Sequence, residues 1–297
     1  SQAVGMLDEL ATQHSQVGET FAEAGEVLGY DLWQLVQDGP AEDLNQTDRT
    51  QPAMLAAGVS VWRVWQAQGG ATPAVMAGHR LGEYTALVCS GAIDFATAVA
   101  LVAERGRCMQ GAVPPGVGAM AALLGLDDAT VTDVCTRAAG DDVVEAVNFN
   151  SPGQVVIAGN TAAVERAIGL AKEAGAKRAV ILPVSVPSHC ALMQPAAVKF
   201  AQRLEDTEIV TPAIPVVQNV DAVMQDQPAI IRENLARQLY NPVRWVSSVR
   251  TMHAHGIRRM IEAGPGKVLT GLGKRIDKTI AGAAVNDNDT LQAALAG

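Results

Sequence analysis

Apolar residues recur at helical spacing through the first 70 positions. Gly5-Met6-Leu7 leads into a helix, Val17 to Leu28 is amphipathic, and Pro52 to Gln68 predicts a long apolar helix. Pro73-Ala74-Val75-Met76-Ala77-Gly78 predicts a short buried strand, followed by helices at 81–90 and 95–110. Pro114-Pro115-Gly116 is a break, and the pattern then changes. Strands are expected at 118–126, 143–149, 154–159 and 178–185, with Asn150-Ser151-Pro152-Gly153 as a turn. Helices are expected at 127–139, with Asp127 and Asp128 suited to its N-terminus, and at 161–174. The order β-α-β-β-α-β is that of a ferredoxin-like split unit, taken as an inserted subdomain over residues 115–186. The surrounding core would comprise residues 1–114 and 187–297. From Pro187 the helical pattern resumes, and 214–220 and 258–264 predict two further strands of the main sheet.

Composition narrows the class to α/β. Of 297 residues, 48% are hydrophobic, mostly Ala, Val, Leu and Ile, and only 4% are aromatic, which suits helices packed on a buried parallel sheet. The net charge of −9 argues against a nucleic-acid-binding surface. Cys89, Cys108, Cys135 and Cys190 are scattered, with no zinc spacing, so reduced cytoplasmic thiols are expected. No apolar run is long enough to span a membrane.

Three local patterns carry candidate chemistry. Gly78-His79-Arg80-Leu81-Gly82 lies between an expected strand and an expected helix. With serine at its centre it would be a nucleophile elbow, in which small residues permit a sharp turn and the next N–H points where an oxyanion forms. A plain glycine-bracketed turn reads equally well. His189, in Val186-Pro187-Ser188-His189-Cys190, is expected at a helix start, where a neutral basic imidazole is favoured, although a lone histidine is more often structural. Arg105 offers a fixed fork for a carboxylate, but Glu104 and Arg107 beside it also suit a solvated helix face.

In combination these segments resemble the malonyl-CoA–acyl carrier protein transacylases. The resemblance runs through Thr50-Gln51-Pro52-Ala53, Gly78 to Tyr84, Glu104-Arg105-Gly106, Asn148 to Gln154, Pro187 to Cys190, Gln238 to Val243 and Glu262 to Leu269. It implies an α/β-hydrolase-like core with a parallel sheet, carrying the ferredoxin-like insert. It implies malonyl-CoA as substrate, acyl carrier protein as partner, and no cofactor. By position it implies His189 as the base, oriented by the backbone carbonyl of Gln238, and Arg105 as the clamp on the malonyl carboxylate. Gln51 would line the pocket, and the Leu81 N–H would form half of the oxyanion hole. Lys267, Lys274, Arg275 and Lys278 are candidates for docking the acidic carrier protein, though such a run also suits plain solvation.

Two departures stand out. Arg80 occupies the position of the family's nucleophilic serine, and a guanidinium has no nucleophilic oxygen. The family also opens with a buried strand and Gly-Gln-Gly-Ser-Gln, of which Ser1-Gln2 match only the tail, so a natural chain longer by about one strand is expected. Three readings follow: a transacylase carrying a substitution at position 80, a non-catalytic relative that binds malonyl-CoA or carrier protein, or a hydrolase or unrelated scaffold.

Overall fold

The computed structural model describes residues 2–184 and 186–297. Ser1 of the Ser1-Gln2 match and Ser185, the expected end of the 178–185 strand, lie outside the described residues. Five helices open the chain: α1 Asp8–Gln13, α2 Ser15–Leu28, α3 Leu32–Asp38, α4 Ala41–Leu44 and α5 Thr47–Ala67. In α2 the stripe Val17, Phe21 and Ala24 is fully buried, as its four-then-three spacing requires. Helix α5 is buried nearly all round and packs against α2 and a later helix, α7 (Phe95–Gln110).

Between them run β1 (Met76–Ala77) and α6 (Gly82–Cys89). Asp94 caps α7 by accepting the Thr97 N–H at 3.1 Å. The central unit follows as β2 Gly118–Leu124, α8 Asp128–Ala139, β3 Val144–Ser151, β4 Gln154–Asn160, α9 Thr161–Glu173 and β5 Arg178–Ile181. Asp127 sits just outside α8 as its cap, bonding the Thr130 N–H at 2.8 Å. The four strands form one antiparallel sheet in the order β3-β4-β2-β5.

One face of that sheet, through Leu123, Val155 and Ile157, packs on Val131 and Val134 of α8 and Val164 and Ala167 of α9. The opposite face, through Met120, Val156 and Ala158, packs on Cys190, the residue after His189. Asn150 and Ser151 belong to β3 rather than to the expected turn, because register shifts at Ala146/Asn148 and Phe149/Ser151 let pairing continue. The tight turn is therefore Pro152-Gly153, with φ +74° at the glycine. Strand β5 stops at Ile181, which is 52% exposed at the sheet edge.

The remaining chain contains α10 Gln194–Glu205, β6 Val216–Val217, β7 Met224–Gln225, α11 Pro228–Arg237, α12 Trp245–Ala254, β8 Arg259–Ala263, α13 Val268–Ile276, β9 Ala281–Val285 and α14 Asn288–Ala296. The expected main sheet is here two sheets. Strand β1 pairs in parallel with β6, and β7 joins β6 antiparallel. Strand β8 pairs in parallel with β9 alone. Among the described residues nothing hydrogen-bonds β1 to β8, so the 73–78 and 214–220 runs are paired over only two residues each. Strand β9 reads Ala-Gly-Ala-Ala-Val and escaped detection because Ala and Gly have poor strand propensity.

Candidate active site

The turn from β1 to α6 is held by groups distant in sequence. Arg80 has φ +56°, the left-handed region that costs an L-residue free energy. Its N–H donates to Asn219 Oδ1 at 2.7 Å, while Asn219 Nδ2 donates to the Gly78 carbonyl at 2.6 Å. Gln238 Nε2 donates to the Arg80 carbonyl at 2.9 Å. A Cβ on Gly78 would stand 1.8 Å from the Gly82 carbonyl oxygen, so the first glycine is a steric necessity. Around Gly82 nothing lies within 4 Å of a built Cβ, so the expected collision at the second glycine is absent. The Leu81 N–H has no acceptor among the described residues, and Leu81 lines the main cavity.

His189 is 1% exposed and has φ +71°, inside a turn rather than at the expected helix start. The short 3-10 turn that follows begins only at Ala191. Its Nδ1 lies 2.7 Å from the Gln238 carbonyl, which can only accept, so Nδ1 carries the proton. Nε2 is therefore the free lone pair, and it accepts from Arg80 Nε at 3.1 Å. Burial first, then the Arg80 and Arg105 cations, hold the imidazole well below its usual range. The helix dipole is not needed to keep it neutral.

Arg105 is 3% exposed, which rules out a solvated helix face. Nη1 donates to Gln51 Oε1 at 2.8 Å and contacts Met109 Sδ at 3.1 Å; Nη2 donates to Gln238 Oε1 at 2.9 Å. The guanidinium carbon lies 5.5 Å from the Tyr84 ring centre. Gly106 permits this placement: a Cβ there would stand 2.4 Å from Asp48 Cα, so only glycine lets α7 approach the start of α5 so closely.

The geometry adds residues to which the sequence reading assigned no role. Glu83 is fully buried, and its Oε2 accepts from Gln238 Nε2 at 2.6 Å and the Asn219 N–H at 3.1 Å. Burial pushes its carboxyl up to about 8, against those two donors. His79 Nε2 lies 2.7 Å from Asn150 Oδ1, and its ring meets Trp245 edge-on at 5.5 Å. Burial and then the Arg80 cation hold His79 down to about 4. Asn219 had one local signal, a Gln218-Asn219 polar pair inside the otherwise apolar 214–220 run. Glu83 lay within the quoted motif without a partner to define it.

Among the described residues no other nucleophile takes the place of a serine at the elbow. The Cys190 thiol is fully buried, bonded to the Pro187 carbonyl at 3.2 Å, and pushed up to about 12 by burial. Ser90 is at the far end of α6 and bonds the Leu87 carbonyl at 3.1 Å. Ser188 lines the cavity beside His189 but is not on the elbow. Gln51, Arg80, Leu81, Arg105 and His189 all open onto this cavity of about 720 Å3, which also runs along β1 and β8. Among the described residues no group of three or more His, Cys, Asp or Glu is placed to hold a metal. Among them too, no helix is long and apolar enough to cross a membrane.

The arrangement holds a neutral base, a buried cation and an unpaired N–H around one cavity, and comparison with known proteins agrees with its resemblance. The acyl transferase domain family matches residues 1–293. The malonyl CoA-acyl carrier protein transacylases of Salmonella typhimurium and Escherichia coli K12 are each 59% identical over 295 residues, 99% of this chain and 96% of theirs. The crystal structure of an acyl carrier protein S-malonyltransferase from Vibrio cholerae is 62% identical, with a TM-score of 0.96 over 99% of this chain and 96% of that one. A malonyl-transacylase solved in complex with a type II PKS acyl-carrier protein is 57% identical, with a TM-score of 0.98 over 99% and 96%. Likeness of this extent, in sequence and in fold, establishes that the chain belongs to the malonyl-CoA–acyl carrier protein transacylases of the acyl transferase family.

Proposed function

We propose that the site is built to move malonyl from malonyl-CoA to the phosphopantetheine thiol of acyl carrier protein, and that Arg80 removes the chemical step from this chain. The observation that carries the reading is the chain of contacts from the elbow through His189 Nε2 and Nδ1 to the Gln238 carbonyl. With serine at position 80, its Oγ would attack the thioester carbonyl while His189 Nε2 takes the proton. The Leu81 N–H and the start of α6 would face the developing oxyanion. His189 would return the proton to the departing CoA sulfur, and the carrier thiol would then attack the acyl-serine by the same route. Arg105, held by Gln51 and Gln238, would pair with the malonyl carboxylate.

Arg80 blocks this sequence twice. It offers no nucleophile, and its Nε donates to the lone pair the base would use. Loss of the nucleophile alone costs about a millionfold in a serine hydrolase. A second reading, a non-catalytic relative that binds malonyl-CoA or carrier protein, is favoured by that same contact, since it makes the arginine part of an ordered site. The core, residues 1–114 and 187–297, is read as α/β-hydrolase-like and residues 115–186 as a ferredoxin-like insert; the parallel β1–β6 and β8–β9 pairs and the antiparallel order β3-β4-β2-β5 support this. Exposed Lys267, Lys274, Arg275 and Lys278 are the candidate docking face for an acidic carrier protein, with Arg275 already bonded to Gln154 Oε1 at 2.7 Å. A cytoplasmic setting would suit the four free cysteines.

Intact mass after incubation with malonyl-CoA tests the proposal. This chain is expected to remain unmodified, and its Arg80→Ser variant to gain one malonyl group and pass it to carrier protein. A stable malonyl adduct on this chain overturns the role given to Arg80. A folded Arg80→Ser variant that transfers nothing overturns the transacylase reading.

A further inference from the structure

Two guanidiniums share the cavity, that of Arg105 buried and that of Arg80 half-buried. Arg80 spends one donor on His189, and its side chain makes no other hydrogen bond among the described residues. Arg105 bonds only neutral acceptors, the amide oxygens of Gln51 and Gln238 and the Met109 thioether, and its Nε is buried without any acceptor. Neither arginine forms an ion pair among the described residues. Glu83 feels the Arg105 cation, but burial raises it to about 8 and its Oε2 is turned to Gln238 and Asn219. The cations are close enough that Arg105 acts with burial to push Arg80 down to about 10.

The described residues thus place two positive charges on one cavity and pair neither with an anion. Buried charges are ordinarily paired, because desolvation without a partner is costly. Each guanidinium presents a planar fork that matches a carboxylate. Both side chains open onto the same cavity, and Arg105 lies near enough to Arg80 to act on its charge. A ligand bridging the two forks is therefore short. We infer that Arg80 and Arg105 together form a binding site for a free three-carbon dicarboxylate dianion, one carboxylate on each guanidinium. A thioester of the same acid has one carboxylate and leaves Arg80 facing a neutral carbonyl, so this chain binds the free diacid in preference to the ester's acyl group. The inference rests on the reading of Arg105 as a carboxylate ligand, and adds Arg80 to it.

The test is isothermal titration calorimetry in low-chloride buffer near neutral pH, using malonate, acetate and inorganic phosphate as probes. Proteins are this chain and its Arg80→Gln, Arg80→Ser and Arg105→Gln variants, each checked for native circular dichroism. Malonate is expected to bind this chain about tenfold or more tighter than acetate or phosphate, with a loss of about tenfold or more in each variant, as for removal of one charge-assisted contact. Malonate binding no tighter than acetate or phosphate overturns the site. So does malonate affinity that is unchanged by Arg80→Gln and by Arg80→Ser. Acylation of Arg80→Ser by malonyl-CoA is read in parallel, with and without Arg105→Gln. If that acylation depends on Arg105 while malonate ignores Arg80, only the two-arginine site fails. If neither depends on Arg105, the carboxylate clamp fails as well.

Discussion

Replacing Arg80 by serine is expected to stabilise the fold. Burial and the Arg105 cation push the Arg80 guanidinium down to about 10, and at about 1.4 kcal/mol per tenfold in acidity this places the cost of its charge at no more than about 3.5 kcal/mol. Because Arg80 is half-buried and faces the cavity, solvent screening lowers that ceiling. The variant gives up the Arg80 Nε–His189 bond, worth about 2 kcal/mol, and a serine hydroxyl donating to the same lone pair returns about 1 kcal/mol. The left-handed strain at position 80 is common to both proteins and cancels. The net gain is about 1–2 kcal/mol, or a rise of about 3 °C in Tm for a chain of this size.

The gain has a signed pH dependence. His189 in the folded chain sits well below its ordinary 6.5, and His79 sits at about 4. As pH falls below 6.5 the unfolded chain takes up protons that the folded one refuses, so stability is lost. Arg80 is the second cause of both depressions, after burial. Without it the folded imidazoles take up protons at higher pH, and the advantage of Arg80→Ser should widen from about pH 7.5 to about pH 4.5, close to the His79 value. Urea unfolding followed by circular dichroism at the two pH values measures both quantities. A serine variant less stable at the higher pH by more than about 1 kcal/mol, or an advantage that fails to grow at the lower pH, would refute the reasoning.

Two further predictions concern the groups around the elbow. Glu83 is raised from 4.5 to about 8, so the folded chain holds a proton that the unfolded one has lost, and stability declines as pH rises through that window. Glu83→Gln keeps an acceptor for the Asn219 N–H; its advantage over the parent chain, read from urea midpoints, should be largest above pH 8 and fade toward 4.5. Gly78→Ala drives a Cβ to 1.8 Å from the Gly82 carbonyl and should cost more than about 4 kcal/mol or abolish soluble expression. Gly82→Ala meets nothing and should stay within about 1 kcal/mol of the parent. Equal losses for the two glycines would show that the elbow does not turn as described.

Periodicity alone located the helices at 95–110, 127–139 and 161–174 to within a residue or so, because each buries one apolar stripe and carries its own start signal, such as Asp94 or Asp127. The strands of the central unit were legible for a related reason: its sheet is antiparallel and covered by helices that lie next to it in the chain. The outer core was less so. A strand exists only through its partner, and the 73–78 and 214–220 runs shorten to two paired residues apiece where pairing is limited. Strand β9 had no local signal, since Ala-Gly-Ala-Ala-Val becomes a strand only beside β8.

The candidate site divides in the same way. The sequence by itself presented the elbow motif, the arginine at its centre, and the family to which its motifs are similar. It also presented His189, Arg105, Gln51 and Gln238 as separate candidates. Only the tertiary structure decided what they do to one another. Arg80 meets His189 across 109 positions and Gln238 across 158, and Asn219 and Glu83 join them from other elements. Those contacts set the tautomer of His189, keep Glu83 protonated at neutral pH and place two guanidiniums in one pocket. The physical reason is that burial, charge proximity and hydrogen-bond direction are properties of neighbours in space, and the chain order contains none of them until it folds.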